Sequence, residues 1–161
     1  METPTVNSLL VADRVYRDIE TKKWVVSGVF NTIHFPAFPS IYEQAECFFQ
    51  ITNVPKKADL RFRIEHADTG RLLVDIGGPI GSPSPLDVVE KKIVLRGIRF
   101  PAPGKYWVQL VSDEQILNQA PLHVKVLPEQ QAPGTPGTPG TPGTPEIPGA
   151  PGGENPQLDA D

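Results

Sequence analysis

Apolar and polar residues alternate with a period of two along much of the chain. Ala45, Cys47, Phe49 and Ile51 fall on one face, with Glu46, Phe48 and Gln50 between them. This alternation is typical of a strand with one buried face. It recurs at 60–64, 72–76, 106–110 and 122–126, and a further strand is predicted at about 8–16. Residues 24–33 are apolar on both faces, which predicts a central strand covered on both sides.

Turn signals separate these runs at nearly regular spacing. Asp68-Thr69-Gly70 predicts a hairpin, and Asp113-Glu114 predicts another turn. The stretch 77–85 is so rich in Gly and Pro that it predicts a surface loop. We count eight or nine short strands, and no run has a helical period. Because a parallel sheet would need crossover helices, the pattern favours an all-β, antiparallel β-sandwich.

The last two predicted strands resemble the end of an immunoglobulin-like domain. Tyr106 follows Pro103-Gly104 at the start of the penultimate strand. In immunoglobulin-like domains a Tyr at this place often ties a corner through its hydroxyl group. Tyr106 is therefore expected either to make such a corner or simply to pack in the core.

The C-terminal segment has a different composition. From Pro128 onward, 16 of 34 residues are Pro or Gly, and Lys and Arg are absent. We predict a folded domain at 1–127 and a disordered, Pro/Gly/Thr-rich acidic tail at 128–161. Repeated Gly-Thr-Pro at 134–145 has the three-residue register of collagen. An interruption after 145 favours an extended linker over a triple helix.

Charge and composition exclude several classes of function. The tail holds five acidic residues of a chain with net charge −4, which leaves the domain at +1. A nearly neutral domain argues against nucleic acid as a partner. No apolar run reaches the length of about 18 residues that a membrane helix needs. Met1–Leu10 lacks the Lys and Arg residues that begin a secretion signal, so we expect no such signal. We therefore expect a cytoplasmic location.

No catalytic, metal or cofactor site is predicted. His34, His66 and His123 are far apart and lack metal-ligand spacing, so each is interpreted as a surface residue. Cys47 is the single cysteine and shares the apolar face of its strand, where a thiol is not activated as a nucleophile. The glycines at 77–81 lack the Lys-Ser/Thr ending of a phosphate loop. We therefore expect no enzyme activity and no cofactor.

A surface for a protein partner is the remaining candidate. Phe35, Phe38 and Pro39 belong to a Pro-rich loop predicted at 35–40, and Trp107 lies nominally on an outward face, as does Phe48. Exposed apolar side chains that cluster mark protein partners. The alternative is that the second sheet or a loop covers them.

Several short motifs carry a family resemblance over residues 8–127. They are Val11-Ala12-Asp13, Gly28–Ile33, Phe38-Pro39, the alternating strand around Phe49, and Gly104-Lys105-Tyr106. In their order and spacing, the chain resembles a family of small uncharacterised bacterial proteins, a domain of unknown function. The resemblance implies a β-sandwich and lends no catalytic residue.

Two hypotheses about function follow. The first is a non-enzymatic protein-binding or accessory module with a flexible tail. The second is a surface or secreted structural module whose collagen-like tail spaces or oligomerises it. The sequence indicates neither the partner protein nor the oligomeric state.

Overall fold

The computed structural model describes residues 3–84 and 86–128. These residues form nine strands and no helix. The strands are β1 (Thr5–Arg17), β2 (Trp24–Val29), β3 (Thr32–Phe35), β4 (Ser40–Thr52), β5 (Ala58–His66), β6 (Leu72–Ile80), β7 (Val89–Phe100), β8 (Gly104–Ser112) and β9 (Gln115–Val126). The predicted all-β class is confirmed. The tail beyond Pro128 lies outside the described residues, so its disorder stays a prediction.

The strands form two sheets, in the orders β2-β1-β4-β7 and β3-β9-β8-β5-β6. Neighbouring strands are antiparallel, with the exception of β3 and β9, which run parallel. The main core receives buried side chains from both sheets, including Cys47 and Phe49 from β4, Phe62 from β5 and Leu110 from β8. The predicted inward face of β4 is therefore confirmed.

The prediction of one central strand at 24–33 is wrong. The segment divides into β2 and β3, which lie at edges of different sheets. Gly28 has a φ of 68°, a conformation that L side chains rarely adopt. A Cβ atom at Gly28 would also collide with the Asp13 carboxylate. The chain thus leaves one sheet after Val29, just past this glycine, and enters the other sheet at Thr32.

The prediction that 77–85 is entirely a loop is also wrong. Residues 77–80 complete β6, and Gly78 and Pro79 pair with Leu60 and Asp59 of β5. Pro lacks the N–H that a central strand would need, but an edge strand tolerates it. Because β6 is the last strand of its sheet, Pro79 interrupts no further ladder.

The predicted turns are confirmed. Asp113 and Glu114 have φ values of 49° and 62° and join β8 to β9 as a two-residue hairpin. Positive φ at both central residues is the geometry whose twist matches the flanking strands. Gly70 has a φ of 67° in the hairpin between β5 and β6. Residues 101–103 carry the chain from β7 in one sheet to β8 in the other.

Tyr106 makes a corner, which is one of the two alternatives that the sequence left open. Its hydroxyl donates a hydrogen bond of 2.7 Å to the carbonyl oxygen of Ala102. Its ring is fully buried and packs edge-on against His66 and Phe100, with centroid distances of 4.8 and 5.1 Å. The corner therefore fixes the start of β8 against the end of β7.

Replacing Tyr106 with phenylalanine is expected to lower the free energy of unfolding by about 1 kcal/mol. The ring packing is retained, and only the hydrogen bond to Ala102 is lost. The midpoint of urea unfolding should fall while the slope stays unchanged. A midpoint equal to that of the wild type would show that the corner hydrogen bond adds nothing to stability.

Candidate functional site

The structure covers two of the three predicted contact residues of the Pro-rich loop, Phe35 fully and Phe38 in part. The prediction that Phe35 is an exposed loop residue is wrong. Phe35 is the last residue of β3, and its side chain is only 8% exposed. Its ring lies 5.6 Å from that of Phe38 and 5.9 Å from that of Phe100. Phe38 is half-buried against the core, and Pro39 is exposed after a cis peptide bond. Of these residues, only Pro39 is freely accessible.

Trp107 lies on a different surface. It alternates with the buried residues Tyr106 and Val108, so its side chain is on the outer face of the five-stranded sheet. The Nζ atom of Lys105 lies 3.8 Å from the centroid of its ring. Phe38 packs against the core, so the two rings do not form one patch. Their role in partner binding stays a prediction.

Phe48 is covered, which is the alternative that the sequence left open. It is 6% exposed and forms a small second cluster with Ala12 and Val15 on the outer face of the four-stranded sheet. The Trp24 ring lies 5.4 Å from the Phe48 ring, and the Arg17 guanidinium lies over Trp24. The hairpin of β1 and β2 therefore curls over this face and hides Phe48.

A groove runs between the free edges of β6 and β7, where the sandwich is open. Both strands end their sheets within the described residues. Three cavities of about 220, 400 and 190 Å³ lie along them. The first two share Ile76, and the last two share Leu73 and Arg99. We call this continuous groove the β6–β7 cleft.

The first cavity of the cleft opens onto the hydrophobic core. Its lining includes Phe49, Leu60, Phe62 and Leu110, all of which are buried. Ile76 pairs with Phe62 and therefore faces inward, yet it is 46% exposed. Cross-strand partners point to the same face, so Ile76 would be covered if another strand lay beside β7.

Gly78 keeps the cavity open. It pairs with the inward-facing Leu60, but it carries no side chain at this inward position. A Cβ atom added at Gly78 would meet nothing within 4 Å. At the neighbouring Gly77, which pairs with Arg61, an added Cβ would lie 3.0 Å from the Cγ atom of Arg61. The vacant space is therefore specific to the inward face of β6.

The cleft is basic. Its lining residues include five cationic side chains and no carboxylate, the five being Arg71, Lys91, Lys92, Arg96 and Arg99. Lys92 forms an ion pair with Glu46. The nearby Asp75 lies on the opposite face of β6, where Arg61 contacts it at 3.0 Å and helps to lower the pKa of its carboxyl group. The other four cations form no ion pair within residues 3–84 and 86–128.

Glu46 holds Lys92 in place behind the cleft. Its carboxylate is buried and accepts hydrogen bonds from the Val15 N–H at 2.6 Å and from Lys92 Nζ at 3.3 Å. Burial raises the pKa of Glu46, but these hydrogen bonds and the charge of Lys92 outweigh it, and the net pKa is lowered. Glu46 is therefore ionised at neutral pH.

Cys47 lies in the core, as predicted. It is fully buried, and burial raises the pKa of its thiol to about 12. A thiol in this state is protonated at neutral pH and is not a nucleophile. Cys47 therefore contributes packing rather than chemistry.

The Cys47 thiol is expected to react with a disulfide reagent such as DTNB only when the protein unfolds. The reaction should be complete at once in denaturant, whereas in the native state its rate should follow the rate of global opening. Rapid stoichiometric labelling of the native protein would contradict the buried position.

The remaining titratable groups do not assemble into a metal site in the described part of the chain. His34, His66 and His123 lie on β3, β5 and β9. No cluster of three or more His, Cys, Asp or Glu residues that could hold an ion occurs between residues 3 and 128, Pro85 aside. In the same residues, no helix is long and apolar enough to cross a membrane.

Comparison with known proteins gives a family and distant structural similarities. A search of curated proteins found no match. A similar solved structure is the Pseudomonas fluorescens alkylpurine DNA glycosylase AlkC bound to DNA containing an abasic site analog. The identity is 12%, the TM-score is 0.44, and the match covers 76% of this chain. This chain spans 30% of that protein, and the likeness carries no argument about activity.

The family assignment rests on a family model that matches most of the folded part of the chain. The match extends from residue 7 to residue 125. It agrees with the resemblance over residues 8–127 to a domain of unknown function, whereas the bacterial origin stays a prediction. The chain therefore belongs to DUF6941, a family of unknown function.

Proposed function

We propose that this protein is a non-enzymatic binding module and that the β6–β7 cleft is its binding surface for another protein. The observation that carries the proposal is the inward-facing Ile76, half exposed beside a cavity that Gly78 leaves open onto the core. An exposed apolar surface with a polar rim is typical of a protein-interaction site. The cleft is lined by apolar and cationic side chains, and the three histidines and the thiol lie elsewhere.

Two finer interpretations accompany this proposal. The Tyr106 corner supports an immunoglobulin-like classification of the sandwich. The single, buried thiol of Cys47 is compatible with the reducing cytoplasm. The alternative of a surface or secreted structural module depends on the tail, which lies outside the described residues.

The proposed surface is tested by comparative affinity capture from a native extract. Full-length wild type, Gly78→Val and Trp107→Ala are used as baits at equal concentration. Gly78→Val adds a side chain that projects into the cavity, whereas Trp107→Ala alters the outer face of the same sheet. The proposal expects that a partner captured by wild type is lost with Gly78→Val and retained with Trp107→Ala. Loss with Trp107→Ala alone would assign the binding surface to the outer face instead.

A further inference from the structure

We propose that the occupant of the β6–β7 cleft is an extended peptide segment that adds as a strand to the free edge of β7. Its side chains would alternate between apolar residues that face inward and acidic residues that face outward. This inference rests on the proposed function and specifies the partner's chemistry.

The edge of β7 is suited to strand addition. The strand has 12 residues and no Pro, and it pairs with β4 from Ile51↔Val89 to Gln44↔Arg96. In an antiparallel pair, the N–H and C=O groups of alternate residues point away from the partner, so half of these groups face the cleft. A free edge of this kind is a template for another chain.

The other edges are less suitable. Pro79 removes a donor from β6, and β2 and β3 have only six and four residues. Within β7, Gly97 has a φ of 63°, which interrupts the extended backbone. The segment available for pairing is therefore 89–96, long enough for an eight-residue peptide.

The cavity explains why the inward side chains of the occupant would be apolar. A strand beside β7 would place every second side chain over Ile76, Ile93 and the space at Gly78. The cavity of about 220 Å³ is larger than one of about 150 Å³ that is known to hold benzene. It therefore has room for a branched aliphatic or an aromatic side chain, and filling it would cover the exposed part of Ile76.

The charges indicate that the outward side chains of the occupant would be acidic. Arg96 lies on the outer face of β7, because it neighbours the inward-facing Leu95 and is exposed. Lys91 pairs with the inward-facing Phe49 and lies at the mouth of the cleft, and Arg99 lies just past Gly97; neither has an ion pair among the described residues. Opposite charges on adjacent strands stabilise their pairing, and like charges destabilise it. Residues 89–96 carry Lys91, Lys92 and Arg96 against the single carboxylate of Glu90, so a second copy of β7 would add more net positive charge to this edge, and an acidic partner strand is favoured over self-association.

The test uses full-length protein and three synthetic, terminally blocked octapeptides as probes. The first has the sequence Glu-Val-Glu-Leu-Glu-Val-Glu-Val. The second replaces each Glu with Lys, and the third is the acidic peptide with N-methyl groups on four consecutive backbone nitrogens, which blocks the N–H groups of both alternating sets. Binding is measured by fluorescence anisotropy, and the site is located from amide chemical shifts in NMR spectra.

The acidic peptide is expected to bind and to shift the amide signals of 89–96. The Lys peptide and the N-methylated peptide are expected to bind at least about tenfold more weakly, because they lose charge complementarity and strand pairing respectively. The Arg96→Glu variant should lower affinity for the acidic peptide and raise affinity for the Lys peptide.

Equal binding of the N-methylated peptide would overturn strand addition, and equal binding of the Lys peptide would overturn the acidic preference. A concentration-dependent dimer whose formation protects 89–96 would make a second copy the occupant and would also overturn the inference. If none of the peptides binds while Gly78→Val still loses the captured partner, this inference fails and the proposed function stands.

Discussion

Replacing Glu46 with alanine is expected to lower the free energy of unfolding by about 3 kcal/mol. The reason is that Glu46 accepts a hydrogen bond from a part of β1 that no longer pairs with β4. The pairing of β1 with β4 ends at Ala12↔Glu46. Beyond that point, the Val15 N–H donates to the Glu46 carboxylate and the Val15 C=O accepts from Lys92 Nζ at 2.7 Å.

Two side chains thus replace the backbone ladder of Val15 on the side of β4, while β2 stays paired with β1 on the other side. Val15 is 1% exposed, so removal of the carboxylate would leave a buried N–H without an acceptor, at a cost of about 1–3 kcal/mol. It would also open a gap under the cluster of Ala12, Val15 and Phe48. Lys92 is 36% exposed and can turn toward water, which keeps the cost at the lower end of the range for a broken buried pair.

The matched control is Glu90→Ala. Glu90 pairs with the exposed Arg17 at 3.8 Å and accepts a hydrogen bond of 2.8 Å from Gln50 Nε2, so its loss should change stability by about 1 kcal/mol or less. Both variants are compared with wild type by urea unfolding at neutral pH. If Glu46→Ala were no less stable than Glu90→Ala, the account of the Val15 backbone would be wrong.

The same group gives a dependence on pH. Because the pKa of Glu46 is lower in the folded protein than in the unfolded chain, its ionisation stabilises the fold above the ordinary Glu pKa. That contribution is lost as the pH falls through the lowered folded pKa. The difference in stability between wild type and Glu46→Gln should therefore be largest near neutral pH and shrink below about pH 4.3.

Replacing Gly78 with valine is expected to stabilise the protein by about 1 kcal/mol and to abolish capture of the partner. A β-branched residue suits a strand, the backbone of Gly78 does not have a positive φ, and the added methyl groups enter open space next to Leu60. The same groups would occupy the room intended for the partner's side chain. Higher stability with lost binding is the combination that separates a binding cavity from a packing defect.

Two variants control for this result. Gly78→Ala adds only a Cβ and should retain most of the binding, because most of the cavity stays open. Gly77→Ala lies on the opposite face, against the side chain of Arg61, and should leave binding unchanged. Capture that persists with Gly78→Val would assign the partner to another surface.

Local patterns predicted the features that depend on neighbouring residues. The period of two placed Cys47 and Phe49 in the core, and the position of Tyr106 indicated a corner as one of two alternatives. The errors concern long-range order. Residues 24–33 have strand propensity throughout, but only the tertiary structure shows that the chain changes sheets near Gly28.

The candidate site could not be predicted without knowing which strands lie at the edges of the sheets. The alternation of apolar and polar residues does not reveal the order of the strands. Phe35 resembled a loop residue because Pro36 follows it, yet parallel pairing of β3 with β9 buries it. One sequence feature of the cleft was visible, but the glycines at 77–78 were interpreted as part of a surface loop. Gly78 continues the inward positions of Val74 and Ile76 without a side chain.

Amide hydrogen exchange of the full-length protein, alone and with its captured partner, tests the binding surface most directly. The account predicts that the partner slows exchange within 89–96 of β7 and 72–80 of β6, with little change around Phe38 and Trp107. Slower exchange around Phe38 or Trp107, with β7 unchanged, would contradict it.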